Sequence, residues 1–309
     1  MKPKVIVIAG PTASGKTALS VELAKQIDGE IISCDSMQIY KDMDIGTAKV
    51  TEEEKQGIEH YLVDFVLPNE RYTVSNFKKD SEEAIEKILA KGKTPIVVGG
   101  TGLYVNSLIY GIEYQEMNFD ENYRNELMKK AETEEGLKSL YEEAKEIDEK
   151  AMEIISPNDK KRIIRVLEIY KATGKTKTEQ EILSRAKGVK YNFEVFAITM
   201  DRDKLYERIN KRVDLMIEKG LIQEVQNLLA KYSEFPTAMQ GLGYKEVVEF
   251  LNGELTREEM IEKIKQESRH YAKRQLTWFR KNKEIIWLDA EDGMQNNIDI
   301  ILKGRNCFE

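Results

Sequence analysis

Apolar residues in this chain follow two spacings. Short unbroken runs, such as Val5, Ile6, Val7 and Ile8, suit strands buried on both faces of a parallel sheet. Elsewhere the spacing is that of a helix with one buried face, as in Ala18, Leu19, Val21, Leu23 and Ala24. Strand-like runs fall at residues 5–9, 30–34, 95–98, 194–200 and 284–288, with helical patterns between most of them. Such alternation predicts an α/β fold with a parallel sheet flanked by helices. The interval between the third and fourth runs is too long for one crossover helix, and residues 121–187 read almost wholly helical and charged. The pattern therefore predicts an α/β core of residues 1–115 and 190–309, with residues 116–189 inserted as an all-helical subdomain. Inside the insertion, Ser156, Pro157, Asn158 and Asp159 read as the cap of a helix beginning at Lys160, and Thr173-Gly174 as its stop.

With 309 residues, 41% of them hydrophobic, the chain can bury a sizeable core. No apolar run approaches the roughly 20 residues that span a bilayer. The first run is short and leads straight into a glycine-rich loop, unlike a signal peptide. The expectation is a cytoplasmic protein with no membrane partner. Two cysteines, Cys34 and Cys307, and two histidines, His60 and His270, provide neither a disulfide framework nor a zinc ligand set. Cys34 reads first as a small core residue.

The formal charge of −7 argues weakly against a nucleic-acid partner, yet the charge is unevenly placed. Residues 268–283 carry Arg269, Lys273, Arg274, Arg280, Lys281 and Lys283 without a carboxylate, interleaved with Tyr271, Trp278 and Phe279. Such a stripe either holds RNA or is a solvated helix face whose aromatics pack inward. Within the insertion, Lys160, Lys161, Arg162 and Arg165 share a helix with the apolar Ile163, Ile164, Val166, Leu167 and Ile169. Those basic groups meet phosphates or pair with carboxylates such as Glu168.

The first strand delivers Gly10-Pro11-Thr12-Ala13-Ser14-Gly15-Lys16-Thr17, a full match to the phosphate-loop pattern G-x-x-x-x-G-K-[ST], and a helical pattern follows at once. Strand, loop and helix in that order place backbone N–H groups and a helix N-terminus around an anion, with Lys16 as a point charge and the Thr17 hydroxyl for magnesium. The second strand ends on Asp35, followed by Ser36 and Met37, a carboxylate at the same sheet edge as the loop. The third ends in Val98-Gly99-Gly100-Thr101-Gly102, where the glycines permit close approach of a ligand and Thr101 either meets it or caps a turn. This strand lacks the acidic end expected of many ATPases, so ATP hydrolysis is poorly supported. Beyond the fourth strand, Arg208 and Arg212 lie one helical turn apart, set to grip phosphate oxygens or to pair with Glu207 or Asp214.

GPTASGKT, the run DSMQIYKDMDIGTAK at 35–49, VVGGTGLY, SPNDKKRIIRVLE, QGLGYKE and AKRQLTWFR, in that order and covering nearly the whole chain, together resemble the bacterial tRNA dimethylallyltransferases. The resemblance implies a P-loop NTPase-like core and transfer of a dimethylallyl group from dimethylallyl diphosphate to N6 of adenosine 37 in tRNAs reading codons that begin with U. It implies that Asp35 is the general base and that Thr101 and Arg212 support the departing diphosphate, which residues 10–17 bind with magnesium on Thr17. It assigns tRNA contacts to Asp35, Ser36, Met37, Gln38, Thr101 and Arg124, to Asp159, Lys160, Lys161, Arg162 and Ile163, and to Gln240, Gly241, Gly243, Tyr244 and Lys245. Read without the resemblance, the segment 240–244 is equally a turn between helices. A monomer is expected. The competing readings are a nucleotide or small-molecule kinase that uses the loop for ATP, and an RNA-binding protein switched by a nucleotide.

Overall fold

The computed structural model describes residues 2–114, 120–186 and 188–304. The expected domain border at 115/116, the end of the helical stretch at 187 and Cys307 lie outside the described residues. Six strands form one sheet: β1 (Lys4–Ala9), β2 (Gly29–Ser33), β3 (His60–Tyr61), β4 (Thr94–Gly99), β5 (Asn192–Thr199) and β6 (Ile286–Asp289). Their order is β3-β2-β4-β1-β5-β6, and every neighbouring pair is parallel. Five of these strands match the apolar runs. β3 does not, because two residues are too few to show a period.

Central β1 explains why its sequence is uninterrupted. Val5, Val7 and Ala9 face a core that contains Phe77, Ile85 and Tyr104. Ile6 and Ile8 face the other side, with Leu19, Leu23 and Ile298. Full burial of each such side chain contributes about 1.5–3 kcal/mol relative to exposure, so a polar residue on either face would be costly. The helices Val74–Ala90 and Gly102–Ile109 supply partners on the first face, and Lys16–Gln26 and Met294–Lys303 on the second. A further apolar cluster joins Ile39, Tyr40 and Met43, just after β2, to Leu221, Val247 and Ile264 of the later helices.

The chain divides into two compact units, with Tyr110–Val189 as the second. That unit holds the helices Glu121–Lys130, Glu134–Ile147, Glu149–Met152, Lys160–Thr173 and Lys177–Ser184. They close around Leu127, Leu140, Ile163, Ile164 and Leu167. Asp159 caps the fourth of them by accepting the Arg162 N–H at 3.2 Å, and Gly174, at φ 66°, ends it in the left-handed region. Among the described residues no helix is long and apolar enough to cross a membrane.

Candidate active site

Parallel strands bring the segments after β1, β2, β4 and β5 to one edge of the sheet, the edge at which ligands meet open α/β folds. The register sets Ala9 level with Gly99 and Ala197, and Ser33 level with Val98. After β1 the chain turns through residues 10–17 with positive φ at Gly10, Ala13 and Gly15. Gly15 caps the helix Lys16–Gln26 without a side-chain bond, which leaves the first N–H groups of that helix for an anion. Lys16 Nζ donates to the Pro11 carbonyl at 2.6 Å. Burial lowers its pKa to about 8, the nearby Arg212 lowers it too, and Asp35 pulls in the opposite direction.

Although β4 lies between β1 and β2 in the sheet, Asp35 is near enough to Lys16 and Arg212 for its charge to act on both. The turn after β2 accounts for this. Asp35 Oδ1 accepts the N–H of Met37 at 2.8 Å and of Gln38 at 3.3 Å, which folds the backbone around the carboxylate. The turn is locked to the one after β4. Thr101 Oγ1 accepts the Ser36 N–H at 3.1 Å, and the Thr101 N–H donates to the Cys34 carbonyl at 3.3 Å. Gly99 is required here, since an added Cβ would lie 2.0 Å from the Cys34 oxygen. Cys34 itself is fully buried, and burial pushes its thiol well above the ordinary range, as suits a core residue.

Arg212 stands on the helix Arg202–Glu218, whose start is fixed by Asp201 accepting the N–H groups of Asp203 and Lys204. Burial lowers the Arg212 pKa against the pull of Asp35 and Glu54. Arg208, one turn earlier, is exposed, and Asp214 bonds Lys265 at 2.6 Å.

Two adjoining cavities occupy this edge. One, of about 550 Å³, is lined by Thr12, Lys16, Thr17, Asp35, Gln38 and Arg212 among others. The second, of about 330 Å³, is lined by Asp35, Ser36, Met37, Gln240, Gly241, Tyr244 and Lys245 among others. Thr12, Asp35, Arg212 and Tyr271 line both. Lys16 and Thr17 therefore face one chamber, the 240–245 segment the other, and Thr12 and the Asp35 carboxylate lie at their junction.

The remaining expected residues fall as follows. Gln38 is engaged with its own loop, donating to the Thr47 and Ala48 carbonyls. Gly243, buried at φ 93°, shapes the turn before the helix Tyr244–Leu251, and the Tyr244 hydroxyl donates to Glu224 at 2.7 Å. In the helical unit Lys160, Lys161 and Arg162 are exposed, while Arg124 holds both oxygens of buried Glu168 at 2.8 and 3.0 Å. Ile163 has its side chain 0% exposed in that unit's core, which leaves its backbone as the part that could meet an RNA. In the stripe at 268–283 Phe279 is buried, Tyr271 and Trp278 are half-buried, and Lys273, Arg274 and Arg280 are exposed. The aromatics pack inward and the cations remain outside, except Arg269, which is half-buried and bonds Asn210 and Glu262.

A family model described as IPP transferase matches residues 38–282. The chain belongs to the IPP transferase family. A tRNA dimethylallyltransferase of Acetivibrio thermocellus is 52% identical over 289 residues, covering 93% of this chain and 92% of that protein. The crystal structure of a full-length tRNA isopentenylpyrophosphate transferase of Bacillus halodurans has 42% identity and a TM-score of 0.73 and covers 97% of this chain and 96% of that one. A eukaryotic dimethylallyltransferase captured acting on tRNA has 32% identity and a TM-score of 0.80, over 97% of this chain and 79% of that one. As an IPP transferase the chain is a prenyl-transferring, tRNA-modifying enzyme, and the kinase reading is not favoured.

Two residues of this IPP transferase site, Glu224 and Gln275, were given no role from the sequence, and a third, Tyr271, was read only as one aromatic of the basic stripe. Glu224, on the helix Leu221–Lys231, accepts the N–H groups of Asp44, Ile45 and Gly46 at 2.9, 2.7 and 3.1 Å as well as the Tyr244 hydroxyl, tying the 44–46 segment to the start of the helix Tyr244–Leu251. Tyr271 lines both cavities, and burial together with Asp35 pushes its phenol up to about 12. Gln275 bonds the phosphate loop. The available signal was the four-residue spacing of Tyr271 and Gln275, which the conspicuous cations around them obscured.

Proposed function

We propose that this enzyme transfers the dimethylallyl group of dimethylallyl diphosphate to the exocyclic N6 amine of adenosine 37 in tRNAs that read codons beginning with U. The observation that carries the reading is the meeting of Asp35, Thr12, Arg212 and Tyr271 where the phosphate-loop cavity joins its neighbour. In the reaction the allylic C–O bond breaks as the N–C bond forms, diphosphate leaves with the electron pair, and an N6 proton passes to Asp35. The adenine amine is a weak nucleophile because its lone pair is delocalised into the ring. The electrophile must therefore carry much of the activation. Each preorganised donor to a developing charge is worth about 3 kcal/mol, and the N–H groups of residues 13–17, Lys16 and Arg212 supply several. A general base contributes ~10²- to 10⁴-fold, so leaving-group stabilisation is the larger part.

The donor set fits magnesium. Thr17 and Asp35 offer hard oxygen atoms at the first cavity, and among the described residues no cluster of three or more His, Cys, Asp or Glu would compete for a metal. Thr17 would hold the ion together with diphosphate oxygens, and the ion would neutralise charge on the leaving group. On the acceptor side the target base leaves its stack to enter the second cavity, between residues 35–38 and 240–245. Lys160, Lys161 and Arg162 meet the anticodon-loop backbone, with Arg124 and Asp159 ordering that unit. We place this work in the cytoplasm, by a monomer.

Unmodified tRNA incubated with the protein, magnesium and dimethylallyl diphosphate, digested and analysed by mass, should yield N6-isopentenyladenosine without ATP. Unmodified adenosine throughout would sink the reading, and ATP consumption in its place would revive the kinase.

A further inference from the structure

The long helix Arg257–Phe279 directs one face into the site, where Tyr271 and Gln275 lie one turn apart. Gln275 is 6% exposed and makes two long-range bonds with the two ends of its amide. Its Oε1 accepts the Thr12 N–H at 2.9 Å, and its Nε2 donates to the Gly100 carbonyl at 2.9 Å. The contact is tight: a Cβ on Gly100 would lie 2.1 Å from that nitrogen. Among side chains of this reach a carboxamide both accepts and donates in this way at neutral pH, where a carboxylate only accepts. Thr12 belongs to the loop proposed to hold the leaving group, and Gly100 precedes Thr101, which is bonded to the Asp35 turn. A single side chain thus spans the leaving-group side and the acceptor side.

We infer that Gln275 is a positioning residue that sets the distance between the phosphate loop and the Asp35–Thr101 turn, and so the approach of the amine to the allylic carbon. Transfer needs the reacting atoms about 3–3.5 Å apart and in line, and a displacement near 1 Å costs ~10²-fold. The inference rests on the dimethylallyl transfer proposed above.

The test compares full-length wild type, Gln275→Met and Gln275→Glu in single-turnover transfer from labelled dimethylallyl diphosphate to an anticodon stem-loop, with both substrates saturating. Gln275→Met keeps the bulk and removes both bonds. It should fold, bind inorganic diphosphate and the stem-loop as wild type does, and transfer about 10- to 100-fold more slowly. Gln275→Glu keeps the acceptor for Thr12 and lacks the donor to Gly100 until its carboxyl is protonated. Its rate relative to wild type should therefore rise as pH falls, a recovery that a merely structural role would not show. Wild-type rates in the folded Met variant, a loss accounted for by weaker diphosphate binding, or a Glu variant with an unchanged pH profile would each overturn the inference. Should the Met variant fail to fold, the Glu profile decides. Wild type that makes no product overturns the proposed reaction, and this inference with it. A productive wild type matched by its variants overturns the role of Gln275 alone.

Discussion

Asp35 illustrates how one side chain carries two duties that a substitution can separate. Oδ1 holds the turn by accepting two backbone N–H groups, while the carboxylate charge reaches Lys16 and Arg212. Asparagine preserves the acceptor oxygen and loses the proposed base. Asp35→Asn should accordingly fold and bind the stem-loop, with the single-turnover rate reduced ~10²- to 10⁴-fold; a near-normal rate would remove the base assignment. Arg212→Ala makes the complementary case, since the guanidinium lines both cavities and is proposed to act on the departing diphosphate. Its loss should slow transfer by ~10²- to 10³-fold and weaken donor affinity, while stem-loop affinity measured by filter binding is unchanged.

At the level of elements, the strand pattern translated almost directly into the sheet because β1, β2, β4 and β5 are buried, and burial on both faces imposes unbroken apolar runs. β3 and the partners of the loops were not readable, since a bond such as Gln275 to Thr12 joins positions 263 apart and leaves no periodic trace. Arg212 was legible as an arginine beyond a strand end, but its difference from Arg208 depends on helix rotation, which sequence alone does not fix. Glu30 makes a related point about a residue that breaks the apolar pattern. It lies in β2, 4% exposed, with Lys91 at 2.9 Å, Lys93 at 3.1 Å and the Tyr61 hydroxyl at 2.8 Å. Burial alone would raise its pKa, but these partners outweigh burial and hold it below the ordinary value. A carboxyl depressed in the folded state stabilises above its unfolded pKa, and that contribution is lost as pH falls through the folded one. Glu30→Gln should cost about 1–3 kcal/mol at neutral pH. Urea midpoints followed from pH 7 downward should fall less steeply for the variant, and transfer activity at pH 7 should be kept, because Glu30 stands near the start of its strand and the site at the other end.

For the molecule as a whole, a chain of net charge −7 must attract a polyanion, so the attraction has to be local. The helical unit shows how. Ile163, Ile164 and Leu167 anchor the helix Lys160–Thr173 in its core, which turns Lys160, Lys161 and Arg162 outward. Arg162 is partly occupied by Asp159 at 3.2 Å with both groups substantially exposed, a pair worth at most about 1 kcal/mol and easily given up to a phosphate. Each cation that meets the RNA backbone releases condensed counterions, so binding weakens with salt in proportion to the number of contacts. Replacing Lys160, Lys161 and Arg162 one at a time by Ala should lower the slope of log affinity against log salt by up to about 1 per phosphate contact. Stem-loop affinity should fall while affinity for inorganic diphosphate, whose proposed site is in the other unit, stays as in wild type. Titrations of an anticodon stem-loop at several salt concentrations measure the slope. If all three variants keep the wild-type slope, the cations of this helix do not carry the RNA, and the exposed Lys273, Arg274 and Arg280 become the groups to replace next.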